Sequence, residues 1–430
     1  MTRSFFAPTT MTRLLEFGLV FYIVVYAFEG PIRYVLFKHG LDNAILIRDA
    51  LLMLLLLPVL LTPNSGKVAR PYFLVFLAII FIHGLIIYLN FGNIEVVGYG
   101  AKEFLPILFG AVLARLTGKP STFLLVVFAV LLVATIVGLI LDKYLLSFPW
   151  TGLSTEVGGF TVEVARSWDA TGIDKRVGGF TRSSINAGIF VPLLSIMLMG
   201  SLRHWLPRLA LVAIASGSVW LTTQKGPMVA CALVTLCLVL SARFNRPALR
   251  SLIVLGLVAT VALPNLFSGY VLTGHHGSGN FSLNSFALRL AFGWPQAFQW
   301  IEHNQIFPFG VGLGGIGGAQ RLYSEAMENP ADNMFLFLDA SFGVMAVIYV
   351  GFLVFLSMTT ARPEDDFASV PIAIIAYHAT AGAVISVIED QSSCIFLGMA
   401  LGYMLYARSV QQATVPQEEQ FGPAAAPLYG

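Results

Sequence analysis

The amino-acid sequence predicts an all-α polytopic membrane protein, and three observations carry that prediction. Of its 430 residues 57% are hydrophobic and only 11% are charged, against roughly 45 to 50% apolar and about 25% charged in an ordinary soluble domain. About twelve apolar runs of near-spanning length are distributed along the whole chain, where one crossing helix takes about 20 mostly apolar residues. Basic residues collect in the short connections between these runs, the pattern that fixes orientation across a bilayer. A soluble globular protein is excluded. So is a nucleic-acid partner: 25 Lys+Arg against 23 Asp+Glu, a net charge of +2, leaves no basic excess to track a phosphate backbone.

The first run, Leu14 to Phe28, follows Arg3 and Arg13 and ends at Glu29-Gly30-Pro31 with no small-residue cleavage site, so it reads as an uncleaved helix. Ala44 to Leu61, Tyr72 to Phe91, Phe104 to Leu116, Thr122 to Leu141 and Ala187 to Leu202 follow. Leu209 to Thr222, Met228 to Ala242, Ser251 to Phe267, Asn333 to Met358, Ser369 to Ile388 and Cys394 to Ala407 complete the set. Lys67, Arg70, Arg115, Lys119, Arg203, Arg208, Arg243, Arg246 and Arg250 lie in short loops and belong on the cytoplasmic side. An even number of crossings then makes both termini cytoplasmic. Residues 1–408 form a single membrane domain, and 409–430, rich in Pro, Gln, Glu and Ala, read as a disordered cytoplasmic tail. Cys231, Cys237 and Cys394 fall inside apolar runs, as small buried side chains do.

This orientation leaves two long outer loops, Asp142 to Asn186 and Ser268 to Asp332. Short inner loops with two long outer ones suit a scaffold that carries chemistry on its outer face, because working residues tend to sit on loops held by a rigid frame. In the first loop Val157-Gly-Gly-Phe-Thr161 recurs as Val177-Gly-Gly-Phe-Thr181, which as a local duplication gives two similar turns. Around the second copy Arg176, Gly179, Arg182 and Asn186 converge on the start of the helix near Ala187. Backbone N–H groups and the helix dipole favour an anion there, and two guanidinium forks suit a phosphate.

The second loop opens with His275-His276, a pair lacking the i, i+4 spacing of helical metal ligands; no metal and no cofactor are expected. Phe286, Leu290, Trp294, Phe298 and Ile301 then repeat every three to four residues and give a helix one apolar face, to rest on the membrane surface or on the bundle. Arg289 lies in that stretch, either a surface arginine beside lipid headgroups or part of a site. The run from Gly310 to Gly318 matches G-x-G-x-x-G with Asp332 downstream, but no strand precedes it and no βαβ unit surrounds it. It is therefore not a dinucleotide fingerprint, and without a following Lys-Ser or Lys-Thr it is not a P-loop. A compact glycine turn through Gly310 and Gly312 that approaches a sugar or phosphate fits better. Lys225 in its tight turn is a snorkelling anchor or a phosphate contact, and Asp332 before Asn333 is a helix cap, a role compatible with catalysis. Arg48, Asp49, Lys102 and Glu103 inside apolar runs must be paired or face a polar cavity, since each charge costs about 2.5 to 3.5 kcal/mol at mid-bilayer.

The order of these features, from the first helix to about residue 407, resembles the O-antigen polymerase and ligase superfamily of multi-spanning glycosyltransferases. Arg176, Gly179 and Asn186 resemble its Arg-x-x-Gly then Asn pattern. Thr223-Gln224-Lys225-Gly226 stands where many members have Ser-Arg-Gly. Arg289 with Trp294, Pro308-x-Gly310-x-Gly312 and Asp332-Asn333 resemble the Arg, Trp, Pro-x-Gly-x-Gly and His-Asn series. Two departures stand out: Lys225 replaces an arginine, and Asp332 replaces a histidine that is the family's presumed base.

The resemblance implies about twelve helices in a GT-C-like architecture and a metal-independent enzyme of the bacterial inner membrane. It also implies a polyprenyl-diphosphate-linked oligosaccharide as substrate, contact with membrane lipid, and a flippase and a chain-length regulator as pathway partners. On that basis Arg289, Arg176, Arg182 and Lys225 hold the leaving diphosphate, aided by Asn186, Gly310 and Gly312, and Asp332, with His303 in reserve, takes the acceptor proton. The aspartate favours an exopolysaccharide polymerase of the xanthan type. A ligase moving glycan to lipid A core or protein, and a transporter, are the alternatives. A transporter is expected to show repeated halves and interrupted helices.

Overall fold

The structure is a computed structural model, and it describes residues 10–157, 160–166, 176–272, 282–323, 331–360 and 366–414. His275 and His276 therefore lie outside the described residues, as does most of the expected tail. The chain is mostly helical. In order come α1 (Thr10–Ala27), α2 (Glu29–Lys38), α3 (Ile47–Leu61), α4 (Pro63–Phe91), α5 (Ile94–Thr117) and α6 (Thr122–Ile140). A two-stranded antiparallel hairpin follows, β1 (Ser154–Val157) and β2 (Phe160–Glu163), with Val157 opposite Phe160. Then come α7 (Ser184–Met199), α8 (Trp205–Leu221), α9 (Lys225–Val239) and α10 (Ala242–Phe267). The short α11 (Asn284–Leu288), α12 (Trp294–Asn304), α13 (Met334–Phe342), α14 (Met345–Thr359), α15 (Val370–Ala381) and α16 (Gln391–Thr414) complete the chain.

Among the described residues seven stretches, containing α1, α3, α4, α5, α6, α10 and α16, are long and apolar enough to cross a membrane, as in a multi-pass membrane protein. Their ends follow local rules. Asn93 caps α5 by accepting from Glu95 N at 2.8 Å, and Ser121 caps α6 by accepting from Leu124 N at 3.2 Å. Gly92 and Gly118 close α4 and α5 in left-handed conformations at φ 67° and 70°. Lipid-facing character shows as exposed leucines, phenylalanines and valines, among them Leu61, Phe81 and Val133. The centre of the bundle is the pair α5 and α16, each with 67% of its apolar window buried, against 22% for α4. Small residues make their contact possible: a Cβ on Gly110 would meet Ile395 O at 2.2 Å, and one on Gly398 would meet Ile107 O at 2.1 Å.

Two details depart from the expectations. The continuous apolar run Asn333 to Met358 is two helices, broken at Gly343 (φ 57°), because the segment before Gly310 wedges into the break: Val344 N donates to Pro308 O at 2.9 Å, and a Cβ on Gly343 would meet Gly310 N at 2.4 Å. Of the two Val-Gly-Gly-Phe-Thr copies, the glycines of the first lie outside the described residues; the second docks at the end of α6, with the Gly178 and Gly179 N–H groups donating to Asp142 Oδ2 at 3.1 and 3.0 Å. The last helix runs on to Thr414, into the stretch expected as tail.

Candidate functional site

The predicted residues gather at helix N-termini at one end of the bundle, where the unsatisfied N–H groups and aligned dipoles give positive potential. Asp332 precedes α13, Lys225 opens α9, and Asn186 lies in the first turn of α7. Arg289 starts a single π-helical stretch, Arg289–Gly293, between α11 and α12, a distortion of the kind that recurs at functional sites. The apolar face of this continuous helical run, with Leu290, Trp294 and Ile301 buried, packs on Phe104 and Phe337 of the bundle.

The structure brings four of the predicted residues together. Arg289 Nε donates to Asp332 Oδ2 at 3.0 Å, with both side chains partly open to solvent. Arg176 stands close enough that burial and then Arg289 lower its pKa from the ordinary guanidinium value, with Asp332 acting the other way. Lys225 lies within electrostatic reach of Arg176, and its Nζ donates to the Ser282 carbonyl. The result is an Arg289–Asp332 pair flanked by Arg176, with Lys225 beside Arg176. Asn333, not Asp332, is the cap of α13: its Oδ1 accepts from Phe335 N at 2.8 Å and Leu336 N at 3.2 Å, and its Nδ2 donates to Thr260 O and Ala383 O at 3.0 and 2.9 Å. That leaves the Asp332 carboxylate free for Arg289.

The backbone here is strained. Among the described residues only Thr223, Ala331 and Asp332 are non-glycine residues at positive φ, at 59°, 57° and 47°. Such positions cost on the order of 1 to 3 kcal/mol each and cluster at functional sites; all three adjoin Lys225 or belong to the Asp332 turn.

Arg182 and Asn186 belong elsewhere. They line a cavity of about 480 Å³, together with Glu29, Arg48, Glu103 and Glu389, and none of Arg176, Lys225, Arg289 or Asp332 lines it. Asn186 Nδ2 donates to Tyr26 Oη at 2.7 Å and to Asp390 Oδ2 at 2.8 Å, and Ser183 Oγ donates to Asn186 Oδ1. Tyr26 Oη also donates to Asp390 Oδ2. The Asn186 amide is thus fully engaged in holding α1, α7 and α16 in register.

The cavity wall contains the charges that the apolar runs had no business exposing to lipid. Arg33 Nε donates to Glu29 Oε1 at 2.6 Å, and Arg48 donates to Glu29 Oε2 and Asp49 Oδ1, each at 3.2 Å. Lys102 Nζ pairs with Asp49 Oδ2 at 3.3 Å. Burial works to raise the Glu29 carboxyl, but Arg33, Arg48 and Arg182 prevail and hold it at about 2. Glu389 lines the same cavity, where burial first, then Glu103 and Asp332, push its carboxyl up against hydrogen bonds with the Gly318 backbone and Ser386.

Gly310 and Gly312 approach backbone, and that backbone is the protein's own. A Cβ on Gly310 would meet Asp339 O at 2.5 Å, and one on Gly312 would meet Ile87 N at 2.6 Å; their run threads between α4 and α13. His303 is exposed near the end of α12 and is not part of the ion pair or the cation cluster. Sequence reasoning missed Glu29, Glu389 and Asp390. The signal available was their place at the ends of apolar runs, where an isolated acid needs a partner.

No protein-family model matches this chain, and no curated protein matches it.

Proposed function

We propose that the protein is a metal-independent glycosyltransferase that joins polyprenyl-diphosphate-linked oligosaccharide repeat units into an exopolysaccharide or O-antigen chain. It would work on the periplasmic face of a bacterial inner membrane. The observation that carries this reading is the pair of Arg289 and Asp332 with Arg176 and Lys225 beside it. A diphosphate leaving group needs several cations and no protonation, and an acceptor hydroxyl needs one base. Arg289 engages one Asp332 carboxylate oxygen. A diphosphate arriving at Arg176, Lys225 and Arg289 competes for that guanidinium and frees the carboxylate.

The acceptor hydroxyl oxygen then attacks the anomeric carbon, its proton passes to Asp332, and the bond from that carbon to the diphosphate oxygen breaks with its electron pair. The anomeric centre inverts. In this reading the five shorter apolar helices cross as well as the seven long ones, giving twelve crossings, and a GT-C-like architecture with both termini cytoplasmic accompanies the proposal. Arginines in the expected inner loops support that orientation by finding helix carbonyls at the opposite end: Arg70 donates to Leu60 O at 3.0 Å, and Arg250 donates to Ser357 O at 3.1 Å.

The test is elongation of a lipid-linked repeat unit by the purified chain, with and without chelator. Long polymer that persists in chelator, and is lost in Arg289→Ala and Asp332→Ala while both proteins stay in the membrane, supports the reading. Normal polymer from both variants, or absolute metal dependence, overturns it. In a deletion strain, accumulated long lipid-linked polymer would point to the ligase instead.

A further inference from the structure

The cavity holds charges that the transfer step does not use. Arg33, Arg48 and Lys102 each face an acid, but Arg182 and Arg166 form no ion pair among the described residues. Arg182 Nε is buried without a hydrogen-bond partner. Arg166 is tied to Arg182 through the backbone, its N–H donating to Arg182 O at 2.9 Å, which fixes the two guanidinium groups to one stretch of wall. Glu103 also lines the cavity; it is 6% exposed and its Oε2 has no hydrogen-bond partner. Unsatisfied buried polar atoms are costly, and donors and acceptors left open around a cavity define what would satisfy them.

The open groups are of two kinds. Arg166 and Arg182 ask for a planar anion that can take bidentate hydrogen bonds. The unpartnered Glu103 oxygen asks for a neutral hydroxyl. Arg33, Arg48 and Lys102 already face carboxylates, so among the described lining residues Arg166 and Arg182 are the cations left for a ligand, and their forks match the two oxygens of one carboxylate. The cavity volume of about 480 Å³ falls within the roughly 300 to 1,000 Å³ of sites that enclose a ligand the size of a short oligosaccharide.

We propose that this cavity is a binding site for a carboxylate-bearing sugar, a uronic acid residue of the acceptor glycan. Arg182 and Arg166 hold its carboxylate, and Glu103 bonds a ring hydroxyl. The word acceptor rests on the glycosyl-transfer reading above; the binding site does not. It lies beside the reacting cluster, because Asp332 is within electrostatic reach of Glu389. A glycan chain seated here would present its terminal sugar toward Asp332.

The test is binding of cellobiouronic acid, cellobiose and inorganic diphosphate to the full chain in detergent, by calorimetry. Cellobiouronic acid is expected to bind at least tenfold more tightly than cellobiose. Arg182→Gln should remove that preference, and Arg182→Lys, which keeps the charge but not the fork, should reduce it in case the first variant does not fold. Arg289→Gln should leave the preference intact while weakening diphosphate. Equal binding of the two disaccharides, no binding of either, or a preference untouched in both Arg182 variants overturns the proposal. Diphosphate binding lost in Arg182→Gln and kept in Arg289→Gln overturns it too, by making the cavity the diphosphate site. If uronate binding behaves as expected and the wild type elongates nothing, the transfer reading fails and the sugar site stands.

Discussion

Two charged regions share one end of this bundle and are built on opposite principles. Around Glu29 and Arg48 the charges are buried and answer one another, so the network locks α1, α2, α3 and α5 together and leaves only a few groups facing inward. Around Arg289 the charges are half open, cations outnumber the one carboxylate, and the backbone beneath is strained. Buried, mutually satisfied charge holds shape. Open, unbalanced charge waits for a ligand. Substitutions should therefore affect assembly in the first region and chemistry in the second.

The largest expected effect breaks the second region alone. Asp332→Asn should cut elongation by about 10²- to 10⁴-fold, the contribution of a positioned base, with unchanged thermal stability read by thiol-reactive dye at the buried Cys231 and Cys394. Equal loss of stability would erase the distinction between the regions. Glu29→Gln should do the reverse, costing about 3 kcal/mol of stability by removing the carboxylate that Arg33 and Arg48 share.

Its pH dependence sharpens the point. The folded Glu29 carboxyl is held at about 2, below its ordinary value, so its contribution is fully present above the usual carboxylate range and drains away as pH falls toward 2. The stability gap between wild type and Glu29→Gln should be wide at pH 6 and narrowed at pH 3. A gap that is constant with pH contradicts the ion-pair account.

Asn333→Ala tests the join between the regimes. It loses a helix cap of about 1 kcal/mol and two bonds to neighbouring carbonyls, so the melting midpoint should fall modestly and activity should fall with it as Asp332 loses its support. The smallest change is Lys225→Arg. It keeps the charge and adds a fork, and elongation should stay within about threefold while Lys225→Gln loses more.

Much of the fold was legible because apolar length is a property of the local sequence: the run Thr122 to Leu141 and the helix α6 differ by one residue. The break at Gly343 was not legible, since an unbroken apolar run carries no sign that Pro308 and Gly310 will wedge into it from elsewhere in the chain. The site divides the same way. Arg176, Arg289, Lys225 and Asp332 could be grouped by residue type and loop position. Arg182 could not be separated from Arg176 by sequence, because what parts them is the anchoring of Gly178 and Gly179 on Asp142, a contact made only in three dimensions. Gly310 and Gly312 look the same in sequence whether the close partner is a substrate or another helix.

The four bonds of Asn333 have a further meaning for motion. They pin the residue beside Asp332 to α10, to the turn after α15 and to its own helix, so the backbone there is a fixed pivot. The Asp332 carboxylate then has only its own side-chain torsions to turn about, and the first of these, χ1, rests in discrete staggered wells. Switching from its partner to a substrate becomes a rotamer flip in place, a latch with set positions, with no helix required to travel.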